Sequence, residues 1–266
     1  MTVFEAFILG MLQGLTEFLP ISSSGHIQLG AYFFEINTKE NLIFTVLVHG
    51  ATVLSTIIVF WKEILKIFKG VLKFTYNEET KFFLQILVSM IPVGLIGMFY
   101  KDEVESLFDG KIIFVASMLM VTGLLLTATN FIKADTKTGK VNYMKAVIIG
   151  LAQAFAVLPG ISRSGATIAT GLIVGVEKEE ATRFSFLMVI LPILGASLLQ
   201  VIDIVKNPTI TGNTSNLALA IGFLSALAFG ILACRWMISI VKRGKLIYFA
   251  IYCFIMATAV LIFQLF

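Results

Sequence analysis

Residues 146–176 read AVIIGLAQAFAVLPGISRSGATIATGLIVGV, an apolar stretch long enough to cross a bilayer but broken at its centre by LPGISRSGAT (158–167). Whether it crosses or turns back decides the topology, and the flanking lysines answer the question. Cytoplasmic loops carry an excess of Lys and Arg. Lys133, Lys137, Lys140 and Lys145 precede the stretch, and Lys242, Arg243 and Lys245 follow two further spans. Both groups belong on the cytoplasmic side, so an even number of crossings separates them. The spans at 184–204 and 215–235 already supply two. Residues 146–176 are therefore expected to return to the side they left, as a re-entrant hairpin.

The whole chain supports a membrane reading. Of 266 residues, 58% are hydrophobic and only 14% charged, against roughly 25% charged in soluble chains. The mean hydropathy is +0.95. Such a composition excludes a soluble globule, a disordered or collagenous chain and a disulfide framework. The net charge of +4 is spread over loops, with no basic run interleaved with aromatics, so no nucleic-acid partner is expected. Cys234 and Cys253 lie in apolar stretches and are expected to be packing residues. The opening MTVFEAFILGMLQG has no basic n-region and carries Glu5, so it is expected to belong to the mature fold and not to a cleaved signal peptide.

Six stretches have the roughly 20 apolar residues of a spanning helix: 41–61, 82–100, 112–132, 184–204, 215–235 and 246–265. Lys62, Lys66, Lys69, Lys73 and Lys81 place 62–81 on the cytoplasmic side, and KEILKIFKGVLKF (62–74) is expected to be an interfacial helix. Only Lys39, Lys101, Lys111 and Lys206 then face outward. EKEE (177–180) is expected to be a solvated turn, and His49 to make an interhelical hydrogen bond.

A second broken stretch, 3–34, carries LPISSSGH (19–26) and matches the first at an offset of 140. Gly10 pairs with Gly150, Gln13 with Gln153, Ser22 with Ser162, Ser24 with Ser164 and Gly25 with Gly165; FTVL (44–47) meets FSFL (184–187). Each half is one hairpin plus three crossings, and an odd number of crossings inverts the second half. The expected fold is an all-α polytopic membrane protein, a single membrane domain over 1–266. It has six transmembrane helices plus two re-entrant helix hairpins in an inverted-topology repeat, 1–135 and 141–266. Irregular backbone at membrane depth survives only where it is buried in protein or lines a wet cavity, so both loops should face one polar chamber, opening to the external side.

Intramembrane ionisable residues are functional-site candidates by default, and Glu17, His26 and Arg163 are the three best here. Gln13 and Glu17 share one helix face. Hydroxyls and glycines leading into helices (Ser22, Ser23, Ser24, Gly25; Ser162, Ser164, Thr167) offer backbone N–H groups to an anion. Arg163 adds a fork suited to phosphate oxygens. A phosphate-bearing ligand is expected. Glu17 would tolerate it by holding a divalent cation whose shell the substrate phosphates complete, or by acting as a base.

These residues resemble the signatures of the bacterial undecaprenyl-diphosphate phosphatase family, the one associated with bacitracin resistance. QGLTE (13–17) resembles its (E/Q)xxxE motif, followed by PISSSGH (20–26), and PGISRSGAT (159–167) resembles PGxSRSxxT. Gln13 stands where many members have Glu. The paired-histidine signature of the type-2 phosphatidic acid phosphatases is missing. The resemblance implies a phosphatase of the bacterial plasma membrane that converts undecaprenyl diphosphate to undecaprenyl phosphate and inorganic phosphate, with Mg²⁺ or Ca²⁺. This recycles the lipid carrier for cell-wall synthesis and confers bacitracin resistance. It implies Glu17, Ser23, His26 and Arg163 as the catalytic set, with Gln13, Ser22, Ser24, Gly25, Ser162, Ser164 and Thr167 binding substrate. In the expected scheme Ser23 attacks with His26 as its base, and Glu17 orients His26 or binds the ion; water or His26 as nucleophile stays open. Membrane lipid is the surrounding partner, and a homo-oligomer is allowed. The competing reading is a transporter or flippase of polyprenyl phosphate; a purely structural scaffold ranks last.

Overall fold

The computed structural model describes residues 1–33, 42–107, 111–132, 139–206 and 214–265. Lys39, Lys133 and Lys137 of the charge pattern lie outside them. The described residues form helices joined by short turns, with one isolated parallel bridge between Gly139 and Val176.

Four short helices flank the broken stretches: α1 (Val3–Phe18), α2 (Ser23–Phe33), and, further along, α8 (Tyr143–Phe155) and α9 (Arg163–Ile173). At about 1.5 Å per residue, even α1, with 16 residues, reaches only about 24 Å, short of the roughly 30 Å hydrocarbon core. Between the two pairs come α3 (Leu42–Val59), α4 (Trp61–Val71), α5 (Glu78–Phe99), α6 (Lys101–Ser106) and α7 (Ile112–Asn130). After α9 follow α10 (Lys178–Met188), α11 (Ile190–Lys206), α12 (Asn216–Lys242) and α13 (Ile247–Leu265). Among the described residues, five helices are long and apolar enough to cross a membrane, α10 and α11 counting together as one (Lys178–Ile202). They become six if α3 and α4 are one bent span.

The bend between α3 and α4 is 77°. The composition changes at the bend: α3 has no Asp, Glu, Lys or Arg, whereas α4 carries Lys62, Lys66 and Lys69. Two expectations need correcting. EKEE is the start of α10 and not a turn: Glu177 is the N-cap, with Glu179 and Glu180 in the first turn, where carboxylates complement the helix dipole. Glu180 pairs with Arg183 at 3.1 Å and Glu179 with Lys242 at 2.8 Å. The Nδ1 of His49 donates within its own helix to Thr45 O at 2.9 Å, a bond the preceding turn offers without a partner helix.

α1 lies along α12, α8 lies on α5, α7 pairs with α13, and α3 packs on α11 and α12. In lipid, helices associate through close packing of small residues. A Cβ on Gly14 would sit 2.8 Å from the Gly230 nitrogen, and one on Gly150 would sit 2.9 Å from the Ser89 Cα. Ser225 Oγ donates to Phe7 O (2.9 Å) and Ser55 Oγ to Leu227 O (3.0 Å) across these seams. Gly14→Val is expected to lower the unfolding temperature in detergent sharply, because backbone and not a flexible side chain must move; overpacking costs about 1–3 kcal/mol or more. Gly97→Ala, where a Cβ meets nothing within 4 Å, should leave it unchanged. Equal melting of both variants would contradict the close α1–α12 seam.

The aromatic core sits under the loops. Phe186 takes Phe18 and Phe60 edge-on at 5.6 and 6.0 Å, and Phe184 takes Phe82 at 5.6 Å. This fixes the FSF segment (184–186) of α10 against the end of α1. Cys234 and Cys253 are buried free thiols.

Candidate functional site

Each broken stretch ends one helix and starts another in the same way. α1 stops at Leu19 because Pro20 disfavours helical backbone before it, and α8 stops at Ala156. In the first loop Ser22 Oγ accepts the Gly25 N–H at 3.3 Å; in the second Ser162 Oγ accepts the Gly165 N–H at 3.1 Å. Ser22 shares a hydrogen bond with Ser24, and Ser162 with Ser164, at 3.2 Å in both cases. Ser162 is the N-cap of α9, and Ser22 makes the same bond just before α2, each helix being 11 residues long. The second loop is tied to α7: Thr122 Oγ1 donates to Gly160 O (3.1 Å) and accepts the Ser162 N–H (2.9 Å). Gly160 is left-handed (φ 97), and a Cβ there would strike the Val115 carbonyl. The two loops touch where Ser164 Oγ donates to Leu19 O at 3.3 Å.

The charged residues occupy positions the repeat does not match: Glu17 faces Val157 in the alignment, Ser23 faces Arg163, and His26 faces Ala166. The repeat supplies two similar turns, and the site is made where they differ.

Glu17 is the hub. Its Oε1 accepts Arg163 Nη2 at 2.9 Å, and its Oε2 accepts Ser23 Oγ at 2.7 Å and Gln13 Nε2 at 3.2 Å. The Glu17 side chain is 6% exposed and that of Arg163 28%. Removing one partner of a buried ion pair leaves an uncompensated charge and costs several kcal/mol, so each loop holds the other. Arg163 spends one N–H on Glu17, from a guanidinium that has five.

A narrow cavity of about 10 Å³, room for about one water, lies beside this pair. Glu17, Arg163, Ser164, Thr167, Thr52, Thr56 and Ser185 supply its polar lining, and Phe18, Phe186, Val189 and Ile193 its apolar lining. Thr52, Thr56 and Thr167 give their hydroxyl protons to His49 O, Thr52 O and Arg163 O. Ser185 Oγ is buried with no hydrogen-bond partner among the described residues. It can serve a ligand oxygen.

His26 stands apart from the cavity. Its ring meets Ser22 O at 2.9 Å and the Tyr252 hydroxyl at 2.7 Å. The expected Ser23–His26 pairing is therefore not what forms: Ser23 donates to Glu17, and the His26 ring folds back onto the residue that begins its turn. Nor is Glu17 bonded to His26, whose two ring nitrogens meet Ser22 O and the Tyr252 hydroxyl instead.

No cluster of three or more His, Cys, Asp or Glu able to hold a metal occurs among the described residues. Gln13 Oε1 is nonetheless buried and unpartnered beside the Glu17 carboxylate. An amide oxygen and a carboxylate are hard ligands of the kind Mg²⁺ and Ca²⁺ take, the rest of the shell coming from phosphate and water. The residues fit such an ion as a partial site.

The family model described as bacitracin resistance protein BacA matches residues 6–259. The chain belongs to this family. Among the family's proteins, the undecaprenyl-diphosphatase of Bacteroides thetaiotaomicron is 53% identical over 265 residues, covering 100% of both chains. That of Parabacteroides distasonis is 54% identical over 253 residues, 95% of each chain. The more distant undecaprenyl-diphosphatase of Caldicellulosiruptor bescii is 39% identical over 267 residues, 100% of this chain and 98% of its own.

Of the family residues named from sequence, Gln13, Glu17, Ser23 and Arg163 meet directly, and Ser164 and Thr167 line the cavity with Glu17 and Arg163. Ser22, Ser24, Gly25 and Ser162 build the two caps. Thr52, Thr56, Ser185 and Tyr252 went unnamed. Thr45, His49, Thr52 and Thr56, spaced four, three and four apart, form a polar stripe on one face of apolar α3, and that spacing could have found two of them. Tyr252 has no local signal.

Proposed function

We propose that this chain hydrolyses undecaprenyl diphosphate to undecaprenyl phosphate and inorganic phosphate in the bacterial plasma membrane. The observation that carries this reading is the Glu17 carboxylate, held between Arg163 and the Ser23 hydroxyl at the mouth of a partly apolar cavity. The names of the relatives favour hydrolysis over the carrier alternative.

The diphosphate enters with its polyprenyl tail among the spans, and Arg163 offers its remaining N–H groups to the phosphate oxygens, with the α2 and α9 N-termini nearby. Stabilising the charge that develops on those oxygens is the main catalytic lever in phosphoryl transfer. Ser23 Oγ attacks the terminal phosphorus as its proton passes to Glu17 Oε2. The bond from phosphorus to the bridging oxygen breaks, that oxygen keeps the electron pair, and Glu17 gives up the first proton to the departing undecaprenyl phosphate, which leaves the carboxylate free again. A water then attacks the phosphoserine, gives a proton to Glu17, and releases inorganic phosphate; Glu17 returns its proton to Ser23. Glu17 and Gln13 would hold Mg²⁺ or Ca²⁺, which supplies further charge neutralisation. Ser185 receives a phosphate oxygen at the inner end.

For the topology, the reading is six crossings and two re-entrant hairpins in an inverted repeat, with the site open to the external side. The four helices too short to span, the caps recurring 140 residues apart, and the reciprocal packing of α1 on α12 and α8 on α5 support it.

Phosphate release by the detergent-purified protein, with and without Mg²⁺ or Ca²⁺, tests the reading. Chelation should abolish release. Arg163→Lys should lose nearly as much as Arg163→Ala, about 10²-fold or more, because a point charge does not reproduce a bidentate fork. A folded wild-type protein that binds the lipid and releases nothing would overturn it.

A further inference from the structure

The two loops share their caps but differ in one backbone torsion and one side chain. Ser22 has φ 70, in the left-handed region that residues with a Cβ rarely adopt. Its counterpart Ser162 has φ −75. Four residues on, the first loop has His26 and the second has Ala166. The histidine occurs where the turn is strained, and alanine suffices where it is relaxed.

The His26 ring is fixed at both nitrogens. A carbonyl only accepts, so at 2.9 Å from Ser22 O the proton is on Nδ1. In the neutral ring Nε2 therefore accepts, and the Tyr252 O–H donates to it at 2.7 Å. The two rings are also stacked, 15° from parallel with centroids 5.6 Å apart. Ser22 O takes a second bond from the His26 backbone N–H at 3.2 Å. α13 grips the same loop again through Cys253 Sγ, which donates to Pro20 O at 3.7 Å. Directly after the strained residue comes Ser23, whose hydroxyl reaches Glu17 at 2.7 Å. The direction of Ser23 depends on Ser22 keeping its torsion.

We infer that Tyr252 and His26 form a buckle that holds Ser22 in its left-handed turn and so aims Ser23 at Glu17. Both are positioning residues, and neither takes the Ser23 proton. The role in turnover rests on the reading of Ser23 as the attacking group; the buckle itself does not.

Asparagine at position 26 places an amide N–H close to where Nδ1 donates, and it has no basic nitrogen. His26→Asn should keep kcat within about tenfold of wild type with KM unchanged, whereas His26→Ala should fall about 10²-fold, the scale of a small misplacement of reacting groups. Tyr252→Phe should lower kcat severalfold in the wild type and cause no further loss in His26→Asn. A folded His26→Asn as inactive as His26→Ala, or a Tyr252→Phe loss that persists in full beside it, would overturn the proposal. The chain has two histidines, so ¹⁵N-histidine labelling in micelles at pH 8 reads the buckle without turnover. The expected spectrum has His26 protonated at Nδ1, with an Nε2 resonance that moves in Tyr252→Phe. Protonation at Nε2, or no movement, would overturn the buckle even in an active enzyme. The expected spectrum in a protein that releases no phosphate would instead locate the failure in the catalytic reading.

Discussion

Ser23→Ala is expected to reduce phosphate release by at least about 10³-fold, a loss of roughly 4 kcal/mol of transition-state stabilisation. The protein should stay folded, because the Ser23 hydroxyl bonds to Glu17 and caps neither helix. Its neighbours make the contrast sharp. Ser22 and Ser24 bond to one another at 3.2 Å, and only the middle serine of the three reaches the carboxylate. Ser24→Ala should cost less than about tenfold. Steady-state kinetics on both variants decides the matter. A Ser23→Ala enzyme turning over near the wild-type rate would show that water attacks phosphorus directly.

The second large effect is expected from Glu17→Gln. The amide keeps the shape and can still meet Ser23 and Arg163, but it takes no proton. General-base assistance contributes about 10²–10⁴-fold, so kcat should fall by about 10³-fold. KM should not rise, because Arg163, relieved of its carboxylate, meets the substrate phosphate as a less compensated cation. That combination separates a proton acceptor from a residue that merely holds the loops together. A rise in KM at near-normal kcat would assign Glu17 to binding alone.

Much of this site could be read locally. Pro20, Pro159 and the serine–glycine runs mark the breaks because their backbone chemistry ends one helix and caps the next within a few residues. Glu17 and Arg163 were visible because charge is expensive inside a bilayer. The offset of 140 paired the caps correctly, since Ser22 and Ser162 do the same work.

Partners across long stretches of sequence were not legible. Ser23 and His26 are three apart on one helix, and the family resemblance implied a nucleophile with its local base. The ring instead turned to Ser22 O and to a hydroxyl 226 residues away. Spacing along one helix says which side chains share a face, and nothing about which long-range partner outcompetes a neighbour. Ser185 was likewise invisible: between Phe184 and Phe186 it reads as a packing position, and its unpaired hydroxyl acquires meaning only when α10 is laid beside α1. In EKEE a polar run between a hairpin and a span looked like a turn, yet acidic residues are also what a helix start favours.

The most direct test of the site's central claim is to mix the protein with undecaprenyl diphosphate labelled in the terminal phosphate, quench in acid within the first turnovers, and map the label. The expected result is label on Ser23 that chases into inorganic phosphate, absent from Ser23→Ala and slowed in forming in Glu17→Gln. Steady phosphate release with no label on Ser23 at any time, at a rate unchanged in Ser23→Ala, would contradict it.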